Sequence, residues 1–314
     1  FRHGNVIGVK SQQISATGEY FWNNFVFSGG FEREQTEFYN LFRNGSYGLV
    51  SFRSLGDFLN DTNAVITRNA YDPNVRNVAD ISELATTGIF GQAKWDVNSR
   101  LSLLMGLRYE FAEVPNAPAL NTAFQTATGF RNDGTPDGTS AISPRLGFNL
   151  ALNEDRSTQI RGGIGHFFGR APWVIFSNSW GQTGVGAFTQ DSASGQLPAS
   201  LTGYLTTEFD PANPIGTGTD DPTLRREVNW VDDGTSVPQV WHANLAIEQK
   251  LPVLDSVLTF EIVRTEGDTA LYVTNENIKP RDGASATGAD GRARFSGSTS
   301  SSANSRFAGY RDMM

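Results

Sequence analysis

The sequence of 314 residues contains no cysteine and only three histidines, His3, His166 and His242. Without cysteine the chain can form neither a disulfide framework nor a thiolate metal site. The three histidines lie far apart in sequence, which argues against a zinc site built on histidine. We therefore expect a fold without covalent cross-links, without structural zinc and without a cofactor.

Long apolar runs are equally scarce. The longest, such as 103–105, fall far short of the roughly 20 consecutive apolar residues that a membrane-spanning helix needs, and the mean hydropathy is -0.34. These properties exclude helical membrane spans. They leave a membrane β-barrel open, because only alternate residues of its strands must be apolar.

Basic residues are in deficit. The formal net charge is -8, and the sequence pI is about 5.0. A protein that binds nucleic acid needs a surplus of lysine and arginine to neutralise phosphates. The charge balance therefore argues against nucleic acid as a partner.

What the sequence does contain is strict alternation. Apolar residues occupy the odd positions of segment 100–111, namely Leu101, Leu103, Met105, Leu107, Tyr109 and Phe111. The even positions hold Ser102, Leu104, Gly106, Arg108 and Glu110. Successive side chains of a strand point to opposite sides, so this segment is predicted to be a strand with one apolar face.

The alternation recurs in four strand pairs, predicted at 14–31, 89–111, 146–168 and 241–262. Short turns join the two strands of each pair, at 23–24, 96–99, 153–156 and around Pro252. Between pairs the chain runs long, over 37–86, 112–142 and 169–238. Strands of about ten to twelve residues match the roughly 9–11 needed to cross a bilayer at a tilt. The pattern predicts an all-β, antiparallel, up-and-down transmembrane barrel segment with short periplasmic turns and long extracellular loops.

Aromatic residues cluster at both ends of the predicted strands. Trp22, Phe25 and Trp95 lie beside short turns, and a second group lies beside the long loops: Tyr109, Phe111, Phe167, Phe168 and Trp241. Two aromatic belts are expected where a barrel meets lipid headgroups. The alternative is that these rings form the core of a soluble β-sandwich, but the opposite faces then carry many buried charges, including Lys94 and Arg161.

The segment 90–110, with its Trp95, its turn and its run Leu101-Ser-Leu-Leu-Met-Gly-Leu-Arg-Tyr-Glu110, resembles a barrel hairpin of TonB-dependent receptors. Segments 143–149 and 160–169 resemble the next hairpin of that family. Three later segments, 238–245, 275–280 and 290–296, resemble its Oar-like branch. The resemblance spans most of the chain.

The resemblance implies a 22-stranded barrel closed by an N-terminal plug, with an energy-coupling TonB box before it. Neither a plug nor a TonB box can be matched here, and no signal peptide is recognised after Phe1. Four hairpins cannot close so wide a barrel. We therefore interpret residues 1–314 as a partial TonB-dependent-receptor barrel, with outer-membrane lipid, the TonB complex and an unknown extracellular ligand as its partners.

Five polar residues are predicted to face the barrel lumen. They are Arg108, Glu110, Arg145, Asn149 and Arg161. Lumen-facing groups can contact a substrate or a plug. The alternative is that the arginines form structural ion pairs with Glu110 or with carboxylates of a plug.

Motifs for other chemistry are weak. Asp133 and Asp137 supply oxygen ligands of the kind that calcium prefers, although an acidic, glycine-rich turn is usually a solvated loop. The glycines of 163–169 have the wrong spacing for a dinucleotide fingerprint and lie in a predicted strand. His166 is expected on the lipid-facing side near the aromatic belt, and the serine-rich stretch 296–305 is predicted to be disordered.

We interpret the chain as part of a transporter or receptor of the bacterial outer membrane, with binding and gated passage as its mechanism and no enzymatic activity. A second hypothesis is a non-transporting outer-membrane protein for adhesion or assembly on the same barrel scaffold. A third is a soluble β-rich enzyme that acts on carbohydrates. A plug and a TonB box in the full-length gene would favour the first hypothesis over the second, and solubility without detergent would favour the third.

Overall fold

The computed structural model describes residues 4–43, 45–71, 80–170, 173–208, 226–253, 255–275, 279–280, 287–296 and 307–313. The serine-rich stretch 296–305 is predicted to be disordered, and its residues 297–305 lie outside the described ranges. Within the described ranges, no helix has the length and apolarity to cross a membrane.

The chain is dominated by strands, with four short helices in the connections. In chain order the elements are β1 (Gly4–Trp22), β2 (Phe25–Arg43), β3 (Leu49–Ser51), α1 (Leu55–Leu59), β4 (Val65–Tyr71), β5 (Asp80–Asp96), β6 (Leu101–Glu113), α2 (Thr122–Thr128), β7 (Ser140–Ala151), β8 (Thr158–Phe168), α3 (Trp173–Gly181), β9 (Ala187–Asp191), α4 (Leu201–Thr207), β10 (Arg226–Val231), β11 (Gln239–Lys250), β12 (Val257–Thr269), β13 (Tyr272–Asn275), β14 (Lys279–Pro280), β15 (Phe295–Ser296) and β16 (Phe307–Met313).

Eight strands form one sheet in the order β1-β2-β5-β6-β7-β8-β11-β12, and every neighbouring pair is antiparallel. The strands follow one another in the sheet in the same order as in the chain. This is the up-and-down topology predicted from the sequence. Three smaller sheets, β3-β4-β9, β10-β16-β13 and β14-β15, are built outside it.

The short turns step progressively across the sheet. Trp22 is the last residue of β1, next to a short turn. The cross-strand pairs lead from Trp22 to Ile262 on β12, whereas the residue of β12 next to its short turn is Val257, five positions earlier. With a rise of about 3.4 Å per residue and strands about 4.8 Å apart, this offset corresponds to a strand tilt of roughly 30° against the rim of turns. Tilted strands are a requirement for closing a sheet into a barrel.

One side of the sheet, here called the apolar face, carries the odd residues of β6 and their cross-strand partners. Many of its large side chains are exposed, among them Ile14, Ile89, Leu107, Leu146, Ile164, Leu245 and Ile262. On β6 the apolar residues run from Leu101 to Phe111, about 34 Å along the strand and about 29 Å in height at that tilt. This height matches the hydrocarbon core of a bilayer, about 30 Å. Directly beyond it, Arg33, Thr87 and Glu113 form a polar cluster on the same face.

The other side is the polar face, and two contacts across it indicate that the sheet curves toward this side. After β8 the chain crosses this face and returns to β2, four strands away in the sheet. There Arg170 forms an ion pair with Glu34 at 3.1 Å, and the Asn40 side-chain amide donates to Ser177 of α3 at 2.9 Å. The long loops therefore fold over the interior of the curved wall.

The buried hydrophobic residues lie mainly in the three long loops, not in the body of the wall. We call these loop 1 (44–79), loop 2 (114–139) and loop 3 (169–238). Three clusters hold their buried residues: Leu84, Ala112, Val114, Phe176, Trp180, Val231 and Val237; Ala64, Ile66, Leu197 and Tyr204; and Phe124, Val228 and Trp230. Leu84 and Ala112, the wall residues among them, lie on the polar face close to the loop end.

The structure corrects two expectations about extent. The first hairpin, predicted at 14–31, reaches from Gly4 to Arg43, because the polar stretches 10–13 and 32–37 carry no apolar residue on either face and interrupt the alternation. The long connections between the pairs, for which the alternation predicts no strands, contain helices, short strands and buried clusters of their own. A soluble sandwich is also excluded, because the apolar face is the exposed one.

Candidate functional site

All five residues predicted to face the lumen lie on the polar face. The register pairs Gly106 with Arg145, Arg108 with Ser143 and Glu110 with Ala141, and it pairs Asn149 with both Ser102 and Arg161. Cross-strand partners point to the same side of a sheet. The structure thus places Arg108 and Glu110 near the loops, Arg145 in the middle, and Asn149 and Arg161 near the short turns.

A cluster of three charges lies on this face close to the loops. Glu32, Gly88 and Glu110 are cross-strand neighbours on β2, β5 and β6. The Arg108 guanidinium lies over Gly88, donates a hydrogen bond to Glu32 at 3.1 Å and forms an ion pair with Glu110 at 2.9 Å. Its position requires glycine, because a Cβ at Gly88 would lie 2.3 Å from the Arg108 Nη2. Arg108 is therefore held by two carboxylates of the wall itself.

The Gly88→Ala variant is expected to push Arg108 away from one or both carboxylates while leaving the backbone intact, since the clashing atom is the end of a flexible side chain. Because Glu32 remains partly exposed, the loss in unfolding free energy is about 1 kcal/mol. Urea unfolding of Gly88→Ala, Arg108→Gln and the double variant measures it. The double variant should be no less stable than Arg108→Gln alone, and additive losses would contradict this role of Gly88.

Arg161 and Lys94 also have partners within the wall. Arg161 donates to Glu248 at 2.8 Å, and Lys94 lies 3.5 Å from Asp96. Together with Asn149 they line a groove of about 340 Å³ whose floor includes the backbone of Gly147. Polar groups of Ser102, Asn149 and Arg161 line the groove together with the apolar side chains of Leu103, Leu104 and Phe148.

Arg145 differs from these residues. Its guanidinium lies 4.6 Å from the centre of the Phe167 ring, and its cross-strand neighbours are Gly106 and Gly165. Its Nε atom is buried and has no hydrogen-bond partner in the described part of the chain. Phe167, expected in the lipid-facing aromatic belt, lies instead on the polar face beside this arginine.

His166 shares the register row of Trp241, as expected, but it is not exposed at the lipid-facing surface. Only 5% of the residue is accessible, because its ring packs at 5.1 Å from the Trp241 ring and its two nitrogens approach Ser143 at 3.3 Å and Asp268 at 3.7 Å. Ser143 is completely buried, so this arrangement presents no accessible nucleophile. It ties β7, β8 and β12 together at the loop end of the wall.

The two calcium candidates serve local contacts in loop 2. Asp133 forms an ion pair with Arg131, and Asp137 accepts a hydrogen bond from the Val114 backbone N–H at 2.7 Å. Among the residues that the structure describes, no group of three or more histidine, aspartate or glutamate side chains is arranged to hold a metal ion.

Loops 1 and 3 are docked on each other through β4 and β9. Arg68 of β4 is almost buried and contacts Gln190 and Glu208, both in loop 3, at 2.9 Å. The Asp61 carboxylate accepts a hydrogen bond from the Thr202 backbone N–H at 2.9 Å and another from Leu201, at the start of α4. The two loops therefore form one folded unit over the interior.

Acid should loosen this unit. The hydrogen bonds from Thr202, and then those from Leu201, hold the pKa of the Asp61 carboxyl below its ordinary value of 3.8. A lowered pKa in the folded state means that Asp61 stabilises the docked loops at pH values above 3.8 and that this contribution is lost as the pH falls through the folded-state pKa. Hydrogen exchange of the α4 amides should show that α4 detaches from loop 1 more often as the pH is lowered from 6 to 3. The Asp61→Asn variant should open more at pH 6 and change less with pH, and identical profiles would contradict the assignment.

Several residues of this site were missed in the sequence analysis. Glu32 and Glu248 carry no motif, and their roles become visible only through the strand register that places them beside Arg108 and Arg161. The α3 segment reads as part of an irregular loop, although Phe176 and Trp180 in it are buried over the wall. The signal in the sequence that could have indicated these ion pairs is the occurrence of opposite charges at alternate positions of neighbouring strands.

A wall of tilted antiparallel strands, apolar on the convex side and charged on the concave side, defines an outer-membrane β-barrel. The chain belongs to the outer membrane beta barrel domain family, whose sequence model matches residues 6–313. The protein is accordingly a protein of the bacterial outer membrane.

Solved structures with a similar arrangement include the copper transporter OprC, at 11% identity and a TM-score of 0.44, and a mutant of the ferric enterobactin receptor PfeA from Pseudomonas aeruginosa in complex with enterobactin, at 12% identity and a TM-score of 0.43. These similarities cover 87% and 96% of this chain but 32% and 31% of those chains. The chain thus spans about a third of their length. No curated protein matches its sequence.

Proposed function

We propose that the chain is the barrel portion of a TonB-dependent outer-membrane transporter or receptor, which binds an extracellular ligand and lets it pass through the barrel. The observation that carries this proposal is the row of charged and polar residues on the concave face at the depth of the lipid. Arg145 and Arg161 lie there on the strands whose opposite face carries Leu146 and Ile160. Charged groups at membrane depth face a water-filled interior or a protein partner.

The loops supply the gate in this proposal. Loop 3 crosses the interior from β8 to β2 and is held there by the Asn40–Ser177 hydrogen bond and the Arg170–Glu34 ion pair. A ligand that enters from outside must displace this segment. Phe176 and Trp180 of loop 3 also share a buried hydrophobic cluster with the wall residues Leu84 and Ala112. Opening of the gate must therefore break this packing together with the two polar contacts.

Energy coupling and the remainder of the barrel belong to the same proposal. The eight-stranded sheet has unpaired edges at β1 and β12 in the described part of the chain, so additional strands would complete the barrel. A plug and a TonB box, contributed outside residues 1–314, would couple passage to the TonB complex. The Oar-like branch is the subgroup that the segments 238–245, 275–280 and 290–296 favour.

The gate offers a direct test in the complete protein, because residues 1–314 contain no cysteine to interfere. Asn40→Cys combined with Ser177→Cys should tether loop 3 to β2 under oxidising conditions. Cells that rely on this protein should then stop depleting nutrients from a defined mixture of peptides and oligosaccharides, as followed by mass spectrometry. A reducing agent should restore depletion, and a protonophore should abolish it.

The two single-cysteine variants are the controls and should deplete the mixture normally. If the tethered double variant and a deletion strain both deplete every component like the wild type, the transport proposal is wrong. A deletion strain that loses surface attachment but no nutrient uptake would instead indicate an adhesion or assembly role.

A further inference from the structure

Arg145 differs from Arg108, Arg161 and Lys94 on the polar face, because it has no carboxylate counter-ion among the described residues. Arg108 has Glu32 and Glu110, Arg161 has Glu248, and Lys94 has Asp96. For Arg145, no carboxylate lies at ion-pair distance in the described part of the chain, and its Nε forms no hydrogen bond there. A half-buried arginine without a counter-ion is costly to keep.

The neighbours of Arg145 leave room for such a partner. Gly106 and Gly165 flank it on the adjacent strands and have no side chains to cover it. A Cβ at Gly165 would lie 3.0 Å from the Phe167 ring and 3.2 Å from the Arg145 Cγ, so a side chain at this position would crowd the stacked pair. The stacked ring holds the guanidinium in one orientation.

The same register row supplies further hydrogen-bonding groups. Beyond the two glycines it continues to Gln92 on β5 and His242 on β11. His242 is oriented by a 3.0 Å contact between its Nδ1 and the Thr265 hydroxyl. Strand spacing places Gln92 and His242 about 10 Å from Arg145, one on each side, and the Phe167 ring lies between Arg145 and His242. A compact oxyanion would therefore contact Arg145 itself, and only a larger ligand would also reach Gln92 or His242.

We propose that Arg145 is the anion-binding group of the lumen and that the ligand carries a carboxylate or another compact oxyanion. This inference rests on the proposed function and deepens it by naming the ligand class. A planar guanidinium pairs with carboxylate or phosphate through two parallel hydrogen bonds, whereas lysine offers only a point charge. Phe167 and the two glycines preset that geometry.

The test uses the complete protein purified in detergent, with citrate and inorganic phosphate as probes. Each is titrated as the sodium salt against sodium chloride of equal ionic strength, and the melting temperature is recorded. Citrate should raise the melting temperature of the wild type. Arg145→Gln should need at least about tenfold more citrate for the same rise, and Arg145→Lys should be intermediate. Arg100→Gln, at a short turn, is the matched control and should respond like the wild type.

Two outcomes would overturn the proposal. One is an equal response of the wild type and Arg145→Gln to both probes. The other is a wild type that ignores both probes while Arg145→Gln melts lower in chloride alone, which would show that a carboxylate elsewhere in the protein pairs with Arg145. Circular dichroism of Arg145→Lys verifies folding. The measurement requires no transport, so its failure is distinguishable from a failure of the nutrient-depletion test.

Discussion

Replacing Leu146 by arginine is expected to destabilise the barrel strongly in a lipid bilayer. Leu146 lies on the apolar face and is 57% exposed, six positions from Leu152 at the turn and so near the middle of the apolar band. An arginine on the lipid side of a barrel costs about 2–4 kcal/mol at the bilayer midplane. In a water-soluble protein the same change at a half-exposed leucine is usually within about 0.5 kcal/mol.

The matched control for this prediction is Gln92→Arg. Gln92 lies on the polar face of β5, one register row from Leu146, and its cross-strand neighbours are Ser28 and Gly106, so the new charge has no like charge directly opposite. Urea unfolding of the complete protein in lipid vesicles should show the loss for Leu146→Arg and little change for Gln92→Arg. Equal stabilities of the two variants would mean that the two faces have the same surroundings, which is incompatible with a membrane wall.

Replacing Trp230 by alanine is expected to unfold the loop layer without unfolding the wall. Trp230 is 2% exposed and packs against the rings of Phe124 and Phe130, with centroids at 5.0 and 5.6 Å. Removing a buried tryptophan typically costs about 3–5 kcal/mol. Because the wall has its own hydrogen-bonded ladder and lipid contacts, the loss should fall on loops 2 and 3.

Hydrogen exchange resolved by segment measures this effect. Amides of 121–130 and 226–231 should lose protection in Trp230→Ala, and those of β5 to β8 should keep it. Trp230→Phe is the matched control, because it keeps an aromatic ring and removes the Trp230 Nε1, which has no hydrogen-bond partner among the described residues. It should be close to wild type. Loss of protection throughout the sheet in Trp230→Ala would show that wall and loops unfold as one unit.

The fold of the wall could be predicted from the sequence because the signals that specify it lie within short segments of the chain. Alternation with period two identified the faces, and the turns at 96–99 and 153–156 fixed which strands pair. Once the pairing is known, Arg108, Arg145 and Arg161 must share a side. The same logic fails in the first hairpin, where the polar stretches 10–13 of β1 and 32–37 of β2 interrupt the alternation before the strands end.

The loop layer and the charge partners could not be derived in this way. Phe176 and Trp230 come from segments without periodicity, and their contacts join parts of the chain that are far apart in sequence. Arg68 meets Glu208 only after loops 1 and 3 have docked. Arg108 has carboxylate partners and Arg145 has none among the described residues, and this contrast depends on side chains from several strands, so it appears only in three dimensions.

The central claim is that one side of this wall touches lipid and the other touches water. Single cysteines at 145–150 in the complete protein, each carrying a nitroxide label, test it by electron paramagnetic resonance in lipid vesicles. Labels at 146, 148 and 150 should collide with oxygen, which concentrates in lipid, and labels at 147 and 149 should collide with a water-soluble nickel chelate or be shielded from both. A label at 146 or 148 that meets only the nickel chelate, or accessibility without alternation, would contradict the account.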